Sequence, residues 1–274
     1  MFYSSAQVPF EIEDESMTSS RASLTSIDQS SRYSPAEWET RVQLAACYRL
    51  VARYRMTDLI YTHISARVPG VKDQFLLNPY GLMFEEVTAS NLVKIDLDGR
   101  LLEDNGYGVN DAGFTIHSAI HAARHDVACV LHTHTRAGFA VSCQKQGLLP
   151  LNQMALQFHG RLAYHDYEGI ALDHDERPRL VHSLGDRHAM ILRNHGLLTA
   201  GRTIPEAFSL MFYLERACEI QIAALAGGGE LIFPSPEVCE KTARQHEMDD
   251  EPLGDLEWAA HIRALDREDS SYRN

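Results

Sequence analysis

The sequence predicts an α/β fold in which a mixed β-sheet is covered by helices on both faces. Short segments rich in β-branched and aromatic residues alternate along the chain with longer segments that have a helical apolar period. This alternation is typical of a sheet layered with helices. The chain has 274 residues, 45% of them hydrophobic and 23% charged, and we find no internal repeat. A chain of this length can bury one large core as a single main domain.

The composition divides the chain into three parts. Residues 1–33 are rich in Ser, Thr, Asp and Glu without periodicity, which predicts a disordered N-terminal tail. Residues 34–250 carry the alternating pattern and form the predicted main domain. Residues 251–274 form a predicted C-terminal helix and tail.

Helix boundaries are marked by capping residues. Ser34 followed by Pro35 predicts a first helix that runs to about Tyr54. Two shorter helices are predicted over residues 114–124 and 135–144. Thr203 opens a long helix that ends at the glycines of residues 227–229.

Strands are predicted around residues 60–67, 74–78 and 92–96. The segment from Asp96 to Gly99 predicts a hairpin turn after the third of them. Two further apolar strands are predicted to end near residues 132 and 192. The first ends in His132 and His134, and His195 follows the second. These histidines are the most informative residues of the chain.

The pattern His132-Thr133-His134 and the later His195 predict a metal site. Side chains two residues apart on a strand project to the same face, about 6.5 Å apart along it, so His132 and His134 can converge on one ion. His195 follows another apolar run, and Gly196 permits a sharp turn there. Three protein ligands leave one coordination position open, as in catalytic metal sites.

Charge and cysteine content exclude several classes of function. The formal net charge of −13, without a Lys/Arg stripe, argues against nucleic-acid binding and against an anionic membrane surface. The five cysteines show no paired spacing, so we expect reduced thiols and a cytoplasmic location. We find neither a signal peptide pattern nor a membrane-spanning run, and expect a small-molecule substrate.

Several separated motifs together resemble the class II aldolase/adducin family. These motifs follow one another in family order: Asn110 to Phe114, Ile116 to Ala119, His132 to His134, Gly147 to Pro150, Ala163 to Tyr167 and Leu192 to Gly196. The resemblance as a whole covers about residues 37–226. The resemblance implies a class II aldolase-like three-layer fold. It also implies that His132, His134 and His195 bind zinc, with iron or manganese as alternatives, and that the protein is a homotetramer with sites near subunit interfaces.

The chain also departs from the sugar-phosphate aldolases that it resembles. Their catalytic Glu corresponds to Gly113 here, and their phosphate-binding positions include His63 and Asp111. An aspartate repels a dianion, so we expect a substrate that is not a sugar phosphate. Candidates for the missing acid–base group are Asp111, His117 and His63, although Asp111 is equally suited to cap the 114–124 helix.

His117 and His121, four residues apart on one helical face, also fit a buried polar stripe. Tyr272, near the C-terminus, is a candidate for a residue that reaches a neighbouring subunit's site, because some aldolases use a C-terminal tyrosine in that way.

Three functions remain open. The leading hypothesis is a metal-dependent lyase that acts on a non-phosphorylated hydroxy- or keto-acid or carbonyl substrate through a metal-stabilised enediolate. The second is a non-haem iron oxygenase or decarboxylase of arylpyruvate-type substrates, which some relatives of similar length resemble. The third is a non-catalytic, adducin-like assembly protein.

Overall fold

The computed structural model describes residues 29–170, 174–247 and 252–274, without the side chains of Gln29, Asp111 and Ala112. Within these ranges it has eight α-helices and seven strands. The helices are α1 (Pro35–Arg53), α2 (Asp111–Ala123), α3 (Arg136–Ser142), α4 (Gln153–Leu156), α5 (Arg177–Leu184), α6 (Ile204–Ala226), α7 (Pro236–His246) and α8 (Asp255–Glu268). No helix in these ranges is long and apolar enough to cross a membrane.

All seven strands belong to one sheet. They are β1 (His63–Arg67), β2 (Gln74–Leu77), β3 (Val93–Asp96), β4 (Cys129–Thr133), β5 (Leu162–His165), β6 (Ala189–Leu192) and β7 (Gly196–Gly201). Their spatial order is β3-β2-β1-β4-β7-β6-β5. Neighbouring strands are antiparallel except β5 and β6, which are parallel, so the predicted mixed sheet is confirmed.

Helices cover both faces of the sheet, as predicted. The larger apolar cluster joins one face to α1, α6 and α8, and includes Ile64 and Leu131. A second cluster joins the opposite face to α2 and α5, and includes Val130 and Leu198. Since Val130 and Leu131 are adjacent on β4, the side chains of this strand alternate between the two layers.

The predicted caps and turn are present. The Ser34 hydroxyl accepts a hydrogen bond from the backbone N–H of Glu37 at 3.2 Å and begins α1. Thr203 caps α6 in the same way. The backbone N–H of Asp96 donates to the carbonyl of Arg100 after β3, which closes the predicted hairpin turn around Gly99.

The two ends of the chain pack on the main domain where they are described. Residues 1–28 of the predicted tail lie outside the described residues, whereas Gln29–Arg32 form a 3₁₀ turn and Tyr33 stacks on Trp38. The last residues of the predicted tail, from Gln29 to Tyr33, are therefore structured, which corrects the predicted boundary at Ser34. At the other end, Tyr272 is buried and its hydroxyl donates to Asp266 at 2.6 Å. The Tyr272 side chain therefore packs within its own chain, unlike the expectation that it extends to a neighbouring subunit's site.

Candidate metal centre

Three histidines from two parts of the sheet meet at one point. His132 lies near the end of β4, His134 lies one residue beyond that strand, and His195 lies in the turn between β6 and β7. Their ligand atoms all lie within 4.8 Å of one another. The Nε2 atoms of His132 and His134 are 2.9 Å apart. This convergence is the arrangement that strand periodicity predicts for the first two residues.

The turn that carries His195 depends on two unusual backbone conformations. Asn194 has a left-handed φ of 56°, and Gly196 has a φ of 153°. A Cβ on Gly196 would lie 2.4 Å from the carbonyl oxygen of Thr133, so only glycine fits there. This close approach between β7 and the end of β4 brings His195 beside the other two histidines.

Two of the rings are oriented by acceptors on their Nδ1 side. His132 Nδ1 lies 2.8 Å from the carbonyl oxygen of Leu197, and His134 Nδ1 lies 3.0 Å from Oδ2 of Asp58. Because a carbonyl oxygen and an ionised carboxylate only accept, each Nδ1 carries the proton and donates. In each ring Nε2 is therefore the nitrogen that is available to a metal ion.

Burial keeps two of the site histidines, His132 and His195, neutral. His132 is almost fully buried, and burial, followed by the neighbouring His195, holds its pKa well below the ordinary range. Burial also lowers the pKa of His195, to about 4. Neutral imidazole is the form that binds metal. His134 and His195 are partly exposed, so one side of the cluster is open for a further ligand.

His63, a predicted acid–base residue, lies directly beside this cluster. It pairs with His132 across β1 and β4, and the two ring centroids are 5.4 Å apart. The ring is buried, and neither nitrogen makes a hydrogen bond to a described residue. Burial lowers its pKa to about 3. His63 is thus a buried, unpartnered and neutral imidazole next to the candidate metal ligands.

The ring of His63 also explains why residue 113 is glycine. A Cβ on Gly113 would lie 2.5 Å from the His63 ring. Any side chain at position 113 would therefore occupy the same space as His63. Gly113 is the expected counterpart of the catalytic Glu of the sugar-phosphate aldolases, and the structure places the His63 imidazole beside its backbone.

His117 lies one layer further from the metal ligands. Its ring centroid is 4.4 Å from that of His63, and its Nδ1 lies 2.7 Å from the Ser65 hydroxyl. The same hydroxyl lies 2.7 Å from Nε2 of His121. His63, Ser65, His117 and His121 form a continuous buried polar column between β1 and α2. The predicted polar stripe is therefore present, and it faces the sheet.

The third candidate, Asp111, is the first residue of α2, but its side chain lies outside the described part of the chain. On the other side of the cluster, the Tyr167 ring lies 6.2 Å from that of His195. His165 is buried between Glu176 and Ser183. Its Nε2 lies 3.2 Å from Oε1 of Glu176, and its Nδ1 lies 3.0 Å from the Ser183 hydroxyl.

Asp58 is the site residue that sequence reasoning missed. It lies in the loop before β1 and reaches His134 across 76 positions of sequence. No motif or period marks an isolated aspartate in a loop. The role of Asp58 becomes apparent only in the tertiary structure, where the loop lies against the end of β4.

The chain belongs to the class II aldolase and adducin family. Residues 42–222 match the class II aldolase and adducin N-terminal domain. Members of this class that are aldolases are generally dependent on a divalent metal, which agrees with the three converging imidazoles.

Individual proteins show how broad this family is. An aldolase II superfamily protein from Pseudomonas syringae is 56% identical, with a TM-score of 0.85 over 89% of this chain and 98% of that one. An L-fuculose 1-phosphate aldolase from Glaciozyma antarctica is 29% identical, with a TM-score of 0.77 over 87% and 93%. Alpha-adducin from Rattus norvegicus is 47% identical over 72% of this chain, but over only 27% of its own length.

Proposed function

We propose that this protein is a metal-dependent carbon–carbon lyase for a non-phosphorylated hydroxy- or keto-acid or carbonyl substrate. The observation that carries the proposal is the convergence of His132, His134 and His195 with their ligand atoms within 4.8 Å of one another. A donor set of three imidazoles suits zinc, and also accepts iron or manganese. A bound divalent ion would act as a Lewis acid that stabilises the enediolate formed when a carbon–carbon bond breaks.

Among the candidate acid–base residues, His63 has the geometry that best supports a proton-transfer role. It is unpartnered and adjacent to His132, so one of its nitrogens is free to hydrogen-bond a substrate or a water at the site, and its lowered pKa makes it a relay for a proton rather than a strong base. His117 stands behind it and is anchored by Ser65. Asp111 remains a candidate at the start of α2.

The surroundings of the three histidines support a substrate without a phosphate group. Described side chains that hydrogen-bond to these rings or stack against them from outside the trio include Asp58, His63, Phe139 and Tyr167. None of these four is a lysine or arginine, and Asp58 adds negative charge. Arg193, which lines a cavity together with His195, is engaged elsewhere, because its guanidinium donates to the Gln144 carbonyl at 2.7 Å and lies over the Tyr164 ring. A phosphate dianion is stabilised by cations, so this neighbourhood favours a less charged ligand. The Glaciozyma aldolase acts, by its name, on a sugar phosphate, and we propose that substrate charge separates the two proteins.

Assembly and location complete the proposal. We infer a cytoplasmic homotetramer with sites near the subunit boundaries, as the family resemblance implies. The five cysteines are all free thiols, which supports a reducing compartment.

The test is the metal content of protein purified without chelator or an affinity metal. We expect about one zinc per chain, and loss of that metal in His134→Ala while the chain stays folded. His125→Ala, at an exposed histidine away from the cluster, is the matched control. Full metal occupancy in His134→Ala would overturn the site. Lyase assays with hydroxy-acids, together with oxygen uptake with arylpyruvates, then separate the reactions.

One observation favours a second candidate function. The 47% identity with alpha-adducin extends over 200 residues, a domain that belongs to a much longer protein. If neither purified nor reconstituted protein binds metal, an adducin-like assembly role becomes the better account. Iron together with oxygen uptake would instead support the oxygenase alternative.

A further inference from the structure

We propose that Asp58 is a positioning residue that holds His134 in its metal-binding orientation. The proposal rests on the metal centre proposed above and adds a residue to it. Oδ2 of Asp58 lies 3.0 Å from Nδ1 of His134. Hydrogen bonds of this kind fix the tautomer of a ligating histidine and increase the basicity of its other nitrogen.

Two of the candidate ligands, His132 and His134, are held to different degrees. His132 belongs to β4, where it pairs with both His63 and Leu198, and its Nδ1 donates to a backbone carbonyl. That ring is fixed by the sheet itself. His134 lies beyond the end of β4, and its side chain is 20% exposed. Besides its contact with His132, the His134 ring hydrogen-bonds to one described residue, which is Asp58.

The loop that carries Asp58 has a well-defined backbone. The backbone N–H of Tyr61 donates to the carbonyl of Asp58 at 2.8 Å, and these two residues form an isolated β-bridge. Leu59 and Thr62 both have left-handed backbones, with φ of 50° and 66°. Non-glycine residues, above all β-branched ones, adopt this conformation only where the surroundings impose it.

This tight loop leads directly into β1. It therefore sets two contacts at once. Asp58 bonds to His134, and the ring of His63, five positions later in the chain, lies beside that of His132. The loop thus determines the positions of two groups around the same pair of metal ligands. Of these two groups, only Asp58 bonds to a ligand ring.

The chemistry of the pair makes different substitutions informative. In Asp58→Ala, Nδ1 of His134 loses its acceptor, so the ring can rotate or change tautomer. In Asp58→Asn, the side-chain amide oxygen can still accept the same hydrogen bond, although without the charge. The size and most of the geometry of the aspartate are therefore retained in Asn and removed in Ala.

The experiment measures zinc affinity by competition with a chromophoric chelator, at one fixed pH, in the full chain. We expect Asp58→Ala to weaken zinc binding about 10- to 100-fold, and Asp58→Asn to weaken it less. The control is Asp98→Ala, at an exposed aspartate in the turn after β3, whose affinity should match that of the wild type. The visible spectrum of the cobalt-substituted protein is a second readout. It should change in Asp58→Ala and be largely restored in Asp58→Asn.

The possible failures are distinguishable. Melting of the metal-free variants checks folding, and all should melt close to the wild type, since Asp58 is partly exposed. If Asp58→Ala binds zinc within about twofold of the wild type with an unchanged cobalt spectrum, the positioning role is wrong while the metal centre stands. If Asp58→Asn is as weak as Asp58→Ala, orientation by an accepted hydrogen bond is also wrong. If the wild type binds no zinc, the metal centre itself is overturned, and the role of Asp58 with it.

Discussion

The two faces of the same sheet are built for different purposes. On β1, Ile64 and Ala66 enter the apolar layer formed with α1 and α6, whereas His63 and Ser65 face α2. On β4, Leu131 enters that apolar layer, and His132 faces the other way. One face consists of close-packed hydrocarbon, and the other contains a buried polar column that leads to the candidate metal centre.

This difference shows how the chain remains stable although its candidate site lowers the free energy of unfolding. Burying imidazoles removes hydrogen-bonding groups from water, and several ring nitrogens of the column lack a described partner. The apolar face has to offset that cost. Stability and chemistry are therefore separable by single substitutions on adjacent residues of one strand.

The largest effect should come from the apolar face. Leu131→Ala removes a fully buried side chain next to His132 and leaves a cavity in the main core. We expect the free energy of unfolding to fall by about 2–5 kcal/mol. Urea titration monitored by circular dichroism measures the change.

The contrast with its neighbour makes this result informative. Zinc affinity should be retained in Leu131→Ala under conditions where the protein is folded, whereas His132→Ala should lose the metal. Leu101→Ala, at a half-exposed leucine, is the control for the change in side-chain size. Loss of zinc from folded Leu131→Ala would contradict the separation of the two faces.

A smaller effect is expected where the polar column meets α2. Gly113→Ala places a methyl group against the His63 ring, which must move, and we expect a loss of about 1–3 kcal/mol. The double variant Gly113→Ala/His63→Ala should recover much of that loss, because the ring is then absent. Thermal unfolding of the four proteins in this cycle measures the coupling.

Additive effects of the two substitutions would show that the close approach does not constrain residue 113. Gly108→Ala is a suitable control, since a Cβ there meets no other atom within 4 Å. It should change stability less than Gly113→Ala does.

The smallest effect is a pH dependence that arises from the column. Burial lowers the pKa of His121 to about 3, so the unfolded chain binds a proton more readily than the folded one below about pH 6.5. Stability should therefore fall as the pH is lowered, by at most about 1.4 kcal/mol per pH unit for this one histidine.

Urea titration of metal-free protein at about pH 7 and pH 5 tests this expectation. His121→Gln should lose less stability between the two values than the wild type does. His125→Gln, at an exposed histidine, should behave like the wild type. Equal losses in His121→Gln and the wild type would contradict the assignment of this pH dependence to His121.

Much of the fold follows from local sequence signals. Ser34 and Thr203 cap their helices as predicted, and the turn after Asp96 forms where expected. These features depend on interactions within a few residues, which the sequence displays directly. Helix α2 begins at Asp111, earlier than the predicted residue 114, because helix ends are the least sharply encoded part of the pattern.

The candidate site was only partly visible in the sequence. Strand periodicity placed His132 and His134 on one face, and a similar context pointed to His195 as the third candidate ligand, which the structure brings beside them. Tertiary structure decided the rest: Asp58 reaches His134, and His63 fills the space beside Gly113. Local patterns report which face a residue occupies. Contacts between distant segments depend on sheet register and on loops with left-handed residues such as Thr62, which have no periodic signature in the sequence.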